Sequence, residues 1–175
     1  MIMDNNIYLI IRRKEEIVLD EEIIFPQFIK REESKKAYTL LKYIIEYLGF
    51  KFDINDIEIS KYGKPYFKSN SIKFNYSHSK NYIALAVSLD DVGIDIEDQF
   101  EISKEASRLY LNGISDRLRY NWVLKEAYFK LIEKFNDEDF KKLNTNKIDC
   151  YKYIVDDSDY NCIVCYKKEK EVINF

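Results

Sequence analysis

Two acidic residues stand two positions apart in the segment Val92-Gly93-Ile94-Asp95-Ile96-Glu97, which reads as a β-strand. Alternate side chains of a strand share a face, so Asp95 and Glu97 leave one face while Ile94 and Ile96 leave the other. Adjacent carboxylates repel each other, and Mg²⁺, which prefers oxygen ligands, would relieve that repulsion. A solvated strand with two acids that bind nothing is the alternative, and the spacing alone favours it.

A second group of polar side chains falls on one stripe of a predicted helix. Trp122, Glu126 and Lys130 follow one another at intervals of four, which places them on the same helix face. Glu126 and Lys130 are ordered correctly for an exposed helical ion pair, with Trp122 in the core. The functional alternative makes Glu126 a third acid and Lys130 a cation beside a phosphate.

The chain has one histidine, His78, in the segment Phe74-Asn75-Tyr76-Ser77-His78-Ser79. A single histidine is more often ordinary than catalytic, but His78 with Ser77 beside it could donate hydrogen bonds to phosphate oxygens. Ser77 lacks the sharp G-x-S-x-G turn of a serine nucleophile, and the chain has no glycine-rich phosphate loop. The segment therefore leaves an ordinary histidine and a phosphate contact both open, and it shows no nucleophilic triad.

The elements that must position these residues follow from hydrophobic periodicity. Helices are predicted over Ser34–Leu48, Ile102–Leu111 and about Asp116–Lys134. Strands are predicted over Ile7–Ile11, Ile54–Ile59, Pro65–Phe67, Ile72–Tyr76, Tyr82–Ser88, Val92–Ile96, Tyr151–Val155 and Tyr160–Tyr166, with hairpin loops at 89–91 and 156–159. This order predicts an α+β fold of two similar halves, 1–89 and 90–175, each a small, mostly antiparallel sheet with a long helix. The repeat rests on the pattern of elements alone.

Composition sets the limits of the interpretation. The chain has 175 residues, 46% of them hydrophobic and 34% charged, which is typical of one folded domain. A net charge of −3 without a basic stripe argues against nucleic acid as a partner. No apolar run is long enough to cross a membrane, and the first residues lack the basic start of a signal peptide. We therefore expect a cytoplasmic protein that does not bind membranes.

The three cysteines carry no metal or redox signature. Cys162 and Cys165 form a single C-x-x-C, with no second pair and no histidine nearby. They lie on a predicted strand, where residues three apart point to opposite faces. We expect buried thiols that pack as small hydrophobic groups.

Taken in order along the chain, four segments resemble the signature of the 4′-phosphopantetheinyl transferase superfamily, in its surfactin-synthetase-activating branch. They are Gly63-Lys64-Pro65-Tyr66, Phe74 to Ser79, Val92 to Glu97, and Trp122 to Lys130. The stretch from Arg31 to Leu41 also resembles the first helix of that branch, whose members are monomers of two similar halves. The resemblance covers roughly residues 28 to 134.

The resemblance implies a reaction and a role for each residue. Such enzymes move the 4′-phosphopantetheine arm of coenzyme A to a serine of an apo acyl or peptidyl carrier protein and release adenosine 3′,5′-bisphosphate. The active site is expected between the halves. By resemblance, Mg²⁺, or Mn²⁺ in its place, is held by Asp95, Glu97 and Glu126. Glu126 is also a candidate for the base that deprotonates the serine. The remaining assignments place Lys130, His78, Ser77, Lys64 and Arg31 against coenzyme A, with Lys130 and His78 also catalytic.

Two departures from the family pattern keep other functions open. The segment from Leu131 to Asn136 lacks the glycine that usually follows the helix lysine, so we expect the helix to run on. The gap from Glu97 to Trp122, a region that helps to dock the carrier, is shorter than expected. The alternatives are a catalytically silent protein that binds coenzyme A or a carrier, and a metal-dependent pyrophosphohydrolase.

Overall fold

The structure, a computed structural model, describes residues 5–69, 71–99, 101–111, 117–133 and 136–175. Its helices are α1 (Glu32–Tyr47), α2 (Lys104–Leu111), α3 (Leu118–Ile132) and α4 (Asp137–Lys142). Its strands are β1 (Ile7–Arg13), β2 (Ile57–Ile59), β3 (Pro65–Phe67), β4 (Lys73–His78), β5 (Tyr82–Ser88), β6 (Val92–Glu97), β7 (Tyr151–Asp156), β8 (Asn161–Tyr166) and β9 (Val172–Asn174). The mixed α+β class is as predicted.

Two sheets and two helices form four layers. The first sheet has the order β4-β5-β1-β9, the second has the order β6-β8-β7, and β2 pairs with β3 in a separate hairpin. Helix α1 packs on one face of the first sheet through Leu41 and Ile44. The other face packs against the second sheet, and α3 covers the far side of that sheet. The strand pairs are antiparallel except for β1 with β9.

The side chains of β6 and β8 alternate between two cores, as expected. Ile94 and Ile96 face the first sheet, which leaves Asp95 and Glu97 on the side of α3. Cys162 packs between the sheets, whereas Cys165 packs under α3. The predicted divergence of the two thiols is therefore confirmed.

One predicted hairpin and the predicted start of one strand are wrong. The segments Tyr82–Ser88 and Val92–Ile96 are strands but not a hairpin, because β5 pairs with β1 and β4 while β6 pairs with β8. The short loop between them carries the chain from one layer to the next, so that each strand buries both faces. The predicted strand Ile54–Ile59 begins as a 3₁₀ turn over Ile54–Asp56, because the Asp53 side chain accepts a hydrogen bond from the Asn55 amide.

The remaining differences concern helix ends and short elements. The predicted helix limits Asp116 and Lys134 lie outside the described residues. Helix α3 does not run on through the segment that lacks glycine, because it ends at Ile132 and Glu133 adopts a left-handed conformation with φ of 52°. Periodicity did not indicate α4 or β9, which are too short to show it. None of the described helices is long and apolar enough to cross a bilayer.

Candidate functional site

A cleft of about 510 Å³ lies where β4, β6 and α3 meet, with the turn between β2 and β3 at its side. It is lined by residues from both predicted halves. Seven of the eight predicted site residues line this cleft, namely Lys64, Ser77, His78, Asp95, Glu97, Glu126 and Lys130. The eighth, Arg31, immediately precedes α1 outside the lining and lies close enough to His78 to lower its pKa.

The backbone brings these elements unusually close together. A Cβ on Gly93 would lie 2.1 Å from the Ala127 carbonyl oxygen and 2.3 Å from the Leu131 amide nitrogen, so only glycine lets α3 rest directly on β6. On the other side, the Ile94 amide donates to Asn75 Oδ1 at 2.9 Å, which ties β6 to β4. These two contacts set the width of the cleft.

Asp95 lies at the centre of the polar network. Ser77 Oγ donates to Asp95 Oδ1 at 2.7 Å, and Lys130 Nζ donates to the same oxygen at 2.6 Å. Lys130 Nζ also lies 3.1 Å from Ser77 Oγ, so the three groups form a closed triangle. Asp95 is only 4% exposed, and a buried carboxylate needs such a partner to stay charged.

The other two acids lack a comparably close cation. Burial, helped by Asp95, raises the pKa of Glu97 to about 7, although Lys130 opposes this. Burial also raises the pKa of Glu126, whose Oε2 is 4.0 Å from Lys130 Nζ. Burial lowers the pKa of Lys130, but Asp95, Glu126 and Glu97 outweigh it, so the net pKa is raised. Three of the four acids that line the cleft, Asp95, Glu97 and Glu126, therefore act on the Lys130 ammonium.

The described acids of the cleft have the ligand chemistry that a divalent cation prefers, but they are not grouped around one position. Among the described residues, no three His, Cys, Asp or Glu side chains are grouped so that they could hold a metal ion. Asp95 Oδ2 is nevertheless buried without a hydrogen-bond partner in the described part of the chain, and Glu97 and Glu126 supply further carboxylate oxygens at the same cleft. This donor set has the hard oxygen character that Mg²⁺ prefers.

His78 sits at the other end of the cleft in a positive environment. Burial lowers its pKa, and Lys14, Lys130 and Arg31 lower it further, whereas Glu33 opposes them. Lys14 is fixed by its amide, which donates to the Asn81 carbonyl at 2.7 Å, and by its ammonium, 3.3 Å from Glu33 Oε1. His78 therefore has three cations and one acid, Glu33, near it, so a phosphate at this position would meet net positive charge.

Lys64 binds the C-terminal end of α3. Its ammonium donates to the Val92 and Lys130 carbonyls, both at 3.1 Å, and lies 3.4 Å from Glu133 Oε1. Burial lowers the pKa of Lys64, while Glu133 and Asp91 oppose this. The contact of Lys64 with a ligand stays a prediction.

Three residues near the site were not predicted from the sequence. Asn75 stood inside a motif segment, yet its bond to β6 depended on the pairing of elements far apart in the chain. The sequence carries no signal for the role of Glu133 or Lys14. The place of Glu133 depends on where α3 ends, and the place of Lys14 depends on how β1 packs beside α1.

Four acids, two lysines and one histidine line a single cleft, a combination that suits a phosphate ester together with a divalent cation. The chain is similar to the 4′-phosphopantetheinyl transferase gsp of Aneurinibacillus migulanus, with 31% identity in an alignment of 127 residues that covers 61% of this chain. The chain spans about half, 53%, of the length of that relative. This similarity confirms the predicted resemblance to the 4′-phosphopantetheinyl transferase superfamily of the surfactin-synthetase-activating type. No protein-family model matches the sequence.

Proposed function

We propose that this protein transfers the 4′-phosphopantetheine arm of coenzyme A to a serine of an apo acyl or peptidyl carrier protein. The observation that carries the proposal is the cleft in which Asp95, Glu97, Glu126 and Lys130 meet from β6 and α3. The similarity to a transferase of this name supports the same reaction. Since the nucleophile comes from the carrier, the enzyme needs no serine or cysteine nucleophile of its own.

The pyrophosphate of coenzyme A binds between Lys130 and His78. The Lys130 ammonium has three donors, two of which face Asp95 Oδ1 and Ser77 Oγ, so the third is available to a phosphate oxygen. His78, with Lys14 and Arg31 near it, binds a second phosphate. The negative charge of that phosphate raises the pKa of His78. The cleft residues thus orient both ends of the bond that breaks.

The chemical step exchanges one phosphorus–oxygen bond for another. The serine oxygen bonds to the inner phosphorus while the bond to the outer phosphate breaks, and adenosine 3′,5′-bisphosphate leaves with the electron pair. Glu126 takes the serine proton, because burial raises its pKa toward the range in which a carboxylate is an effective base. Lys130 stabilises the charge that develops on the leaving oxygen.

Asp95, Glu97 and Glu126 would hold Mg²⁺, or Mn²⁺ in its place. When bound, the ion supplies positive charge to the phosphate oxygens. The unpartnered Asp95 Oδ2 and the raised pKa of Glu97 are the two observations that fit such an ion.

The proposal extends to the whole molecule. The units 1–89 and 90–175 are two similar halves, and the active site lies at their interface. The protein acts as a cytoplasmic monomer with coenzyme A and a carrier protein as its partners. The first sheet with α1 and the second sheet with α3 are the elements that would correspond.

The test is a transfer assay read by mass spectrometry. Purified protein with coenzyme A, Mg²⁺ and an apo carrier should add one phosphopantetheine to the carrier. Asp95→Asn and Glu126→Gln should each lower kcat/KM by about 100-fold or more. Glu138→Gln is the matched control, because this acid on α4 is exposed and pairs across the helix surface with Lys142.

Two outcomes would contradict the proposal. Bound coenzyme A without a mass gain on fatty-acid, polyketide and peptide-synthesis carriers would indicate the silent binding protein. Release of adenosine bisphosphate in the absence of any carrier would indicate a pyrophosphohydrolase.

A further inference from the structure

Lys64 is a buried lysine whose ammonium is directed into the protein. Its side chain is 11% exposed, and its three donors meet three acceptors, the Val92 carbonyl, the Lys130 carbonyl and Glu133 Oε1. Burial, with a contribution from Lys73, lowers its pKa, and Glu133 and Asp91 oppose this loss of charge. Lys64 thus lines the cleft with its ammonium held by protein acceptors.

These contacts connect the first residue of β6 to the last turn of α3. The last carbonyls of a helix have no partner within the helix, and the helix dipole makes that end negative. Lys64 supplies the missing partner, because it donates to the Lys130 carbonyl. Its positive charge also stabilises the negative end of the helix. Its bond to the Val92 carbonyl fixes that end against the strand that carries Asp95.

The conformation of Glu133 fits the same arrangement. Its φ of 52° is left-handed, a conformation that is strained for a non-glycine residue. At this residue, which directly follows α3, the carboxylate lies 3.4 Å from Lys64 Nζ. Glu133 therefore gives the lysine a counter-charge at the position where the sequence lacks a glycine.

Lys130 is consequently held at both ends. Its carbonyl accepts from Lys64, and its ammonium is bound to Asp95 at 2.6 Å and lies 3.1 Å from Ser77. A shift of the last helical turn would move the ammonium relative to the acids, since helix and side chain move together.

We propose that Lys64 is a positioning residue, which holds the end of α3 so that the ammonium of Lys130 faces the phosphate to be transferred. This role rests on the function proposed above. Lys64 acts on the reaction through Lys130 and not by its own contact with the ligand.

A double-mutant cycle tests this role. Lys64→Met keeps the apolar stem and removes the ammonium, and it should lower kcat/KM by about tenfold or more, since small misplacements of catalytic groups can cost about 100-fold. In a Lys130→Met background, the same change should cause no further loss. Lys61→Met is the control, because it removes an equal charge from the neighbouring turn, where Lys61 lies over the Tyr62 ring, and should leave kcat/KM unchanged.

An equal loss in both backgrounds would overturn the proposal, because Lys64 would then act independently of Lys130. Melting temperatures of all four proteins separate this result from unfolding. If Lys64→Met does not fold, Glu133→Gln, which weakens the same contact, and Lys64→Arg, which restores a donor, complete the cycle.

The proposed function can fail separately. If the wild-type protein binds coenzyme A but transfers nothing, the same cycle is measured on coenzyme A affinity by calorimetry. Additive losses of affinity would then overturn the positioning role, and loss of the Lys64 effect in the Lys130→Met background would support it.

Discussion

Asp95 and Glu97 lie on the same strand face but in different electrostatic states. Asp95 is bonded by Lys130 and Ser77, so its charge is matched within the protein. Glu97 is buried beside Asp95 and Glu126, which raises its pKa to about 7. At the residue scale, the cleft therefore has one acid that is paired through Oδ1 but not through Oδ2 among the described residues, and one acid that keeps its proton until neutral pH.

The raised pKa of Glu97 predicts a pH dependence of stability. The unfolded carboxyl ionises near its ordinary value of 4.5, whereas the folded one keeps its proton until about 7. The native state thus binds more protons in this window, and the free energy of unfolding should fall as pH rises through it, by on the order of 1 to 3 kcal/mol. The measurement is denaturant unfolding of the metal-free protein in chelator.

Glu97→Gln should remove most of this slope, because the amide does not titrate. The raised pKa of Glu126 adds a smaller slope of the same sign. An unchanged slope in Glu97→Gln would show that Glu97 ionises normally.

The ammonium of Lys130 occupies one oxygen of Asp95, so it should compete with a divalent cation. Lys130→Met removes this competing charge and should tighten Mn²⁺ binding in the absence of coenzyme A by about tenfold. Electron paramagnetic resonance of free Mn²⁺ measures the affinity.

Lys80→Met is the matched control for net charge, because Lys80 is a surface lysine that bonds to Gln99. Equal Mn²⁺ affinity in the wild-type protein and in Lys130→Met would show that the lysine does not occupy the place of the ion.

At the scale of elements, the site depends on how closely α3 approaches β6. Gly93 permits this approach, since a side chain there would meet the helix backbone. The acids of β6 and the charged stripe of α3 then face each other across a short distance. If α3 were shifted away from β6 by the width of a methyl group, Lys130 would move away from Asp95.

Gly93→Ala should therefore destabilise the protein by at least about 3 kcal/mol, above the usual cost of overpacking, because the clash is with backbone atoms that cannot rotate away. Gly63→Ala adds the same methyl group in open space at φ of 86°, and should cost only about 1 to 2 kcal/mol of backbone strain. Denaturant unfolding compares the two variants, and equal losses would contradict the close packing of α3 on β6.

Local patterns predicted the helices and strands that carry the site, but not all of their partners. The alternation in β6 and the spacing of Glu126 and Lys130 fixed the faces of these side chains. The crossing between sheets after β5 was missed, because a short loop fits a hairpin and a layer change equally well. Nothing in the sequence marked Lys125 as buried, yet it is 1% exposed and donates to the Tyr110 and Phe140 carbonyls.

At the scale of the whole molecule, the four layers determine which groups meet solvent. Cys162 and Cys165 belong to two different cores and are fully buried, whereas Cys150 is partly exposed. The hydrogen bond with Cys165 lowers the pKa of Cys150, which favours the reactive thiolate. Burial raises the pKa of Cys162.

Thiol labelling of the native protein should therefore modify Cys150 alone, and labelling in denaturant without reductant should modify all three cysteines. Mass spectrometry of intact protein gives the count. Rapid native labelling of more than one thiol would contradict the burial of β8, and fewer than three labels in denaturant would indicate a disulfide.

The pairing of β6 with β8 bears on when activity can appear during synthesis. Strand β6 carries Asp95 and Glu97, and its ladder runs from Val92 with Tyr166 to Glu97 with Asn161. Contacts between such distant segments form slowly, because a long loop must close first. On a ribosome, both acids and α3 leave the exit tunnel well before β8 does. A nascent chain whose β8 is still inside the ribosome should already expose Asp95, Glu97 and α3. It should nevertheless lack the proposed transfer activity.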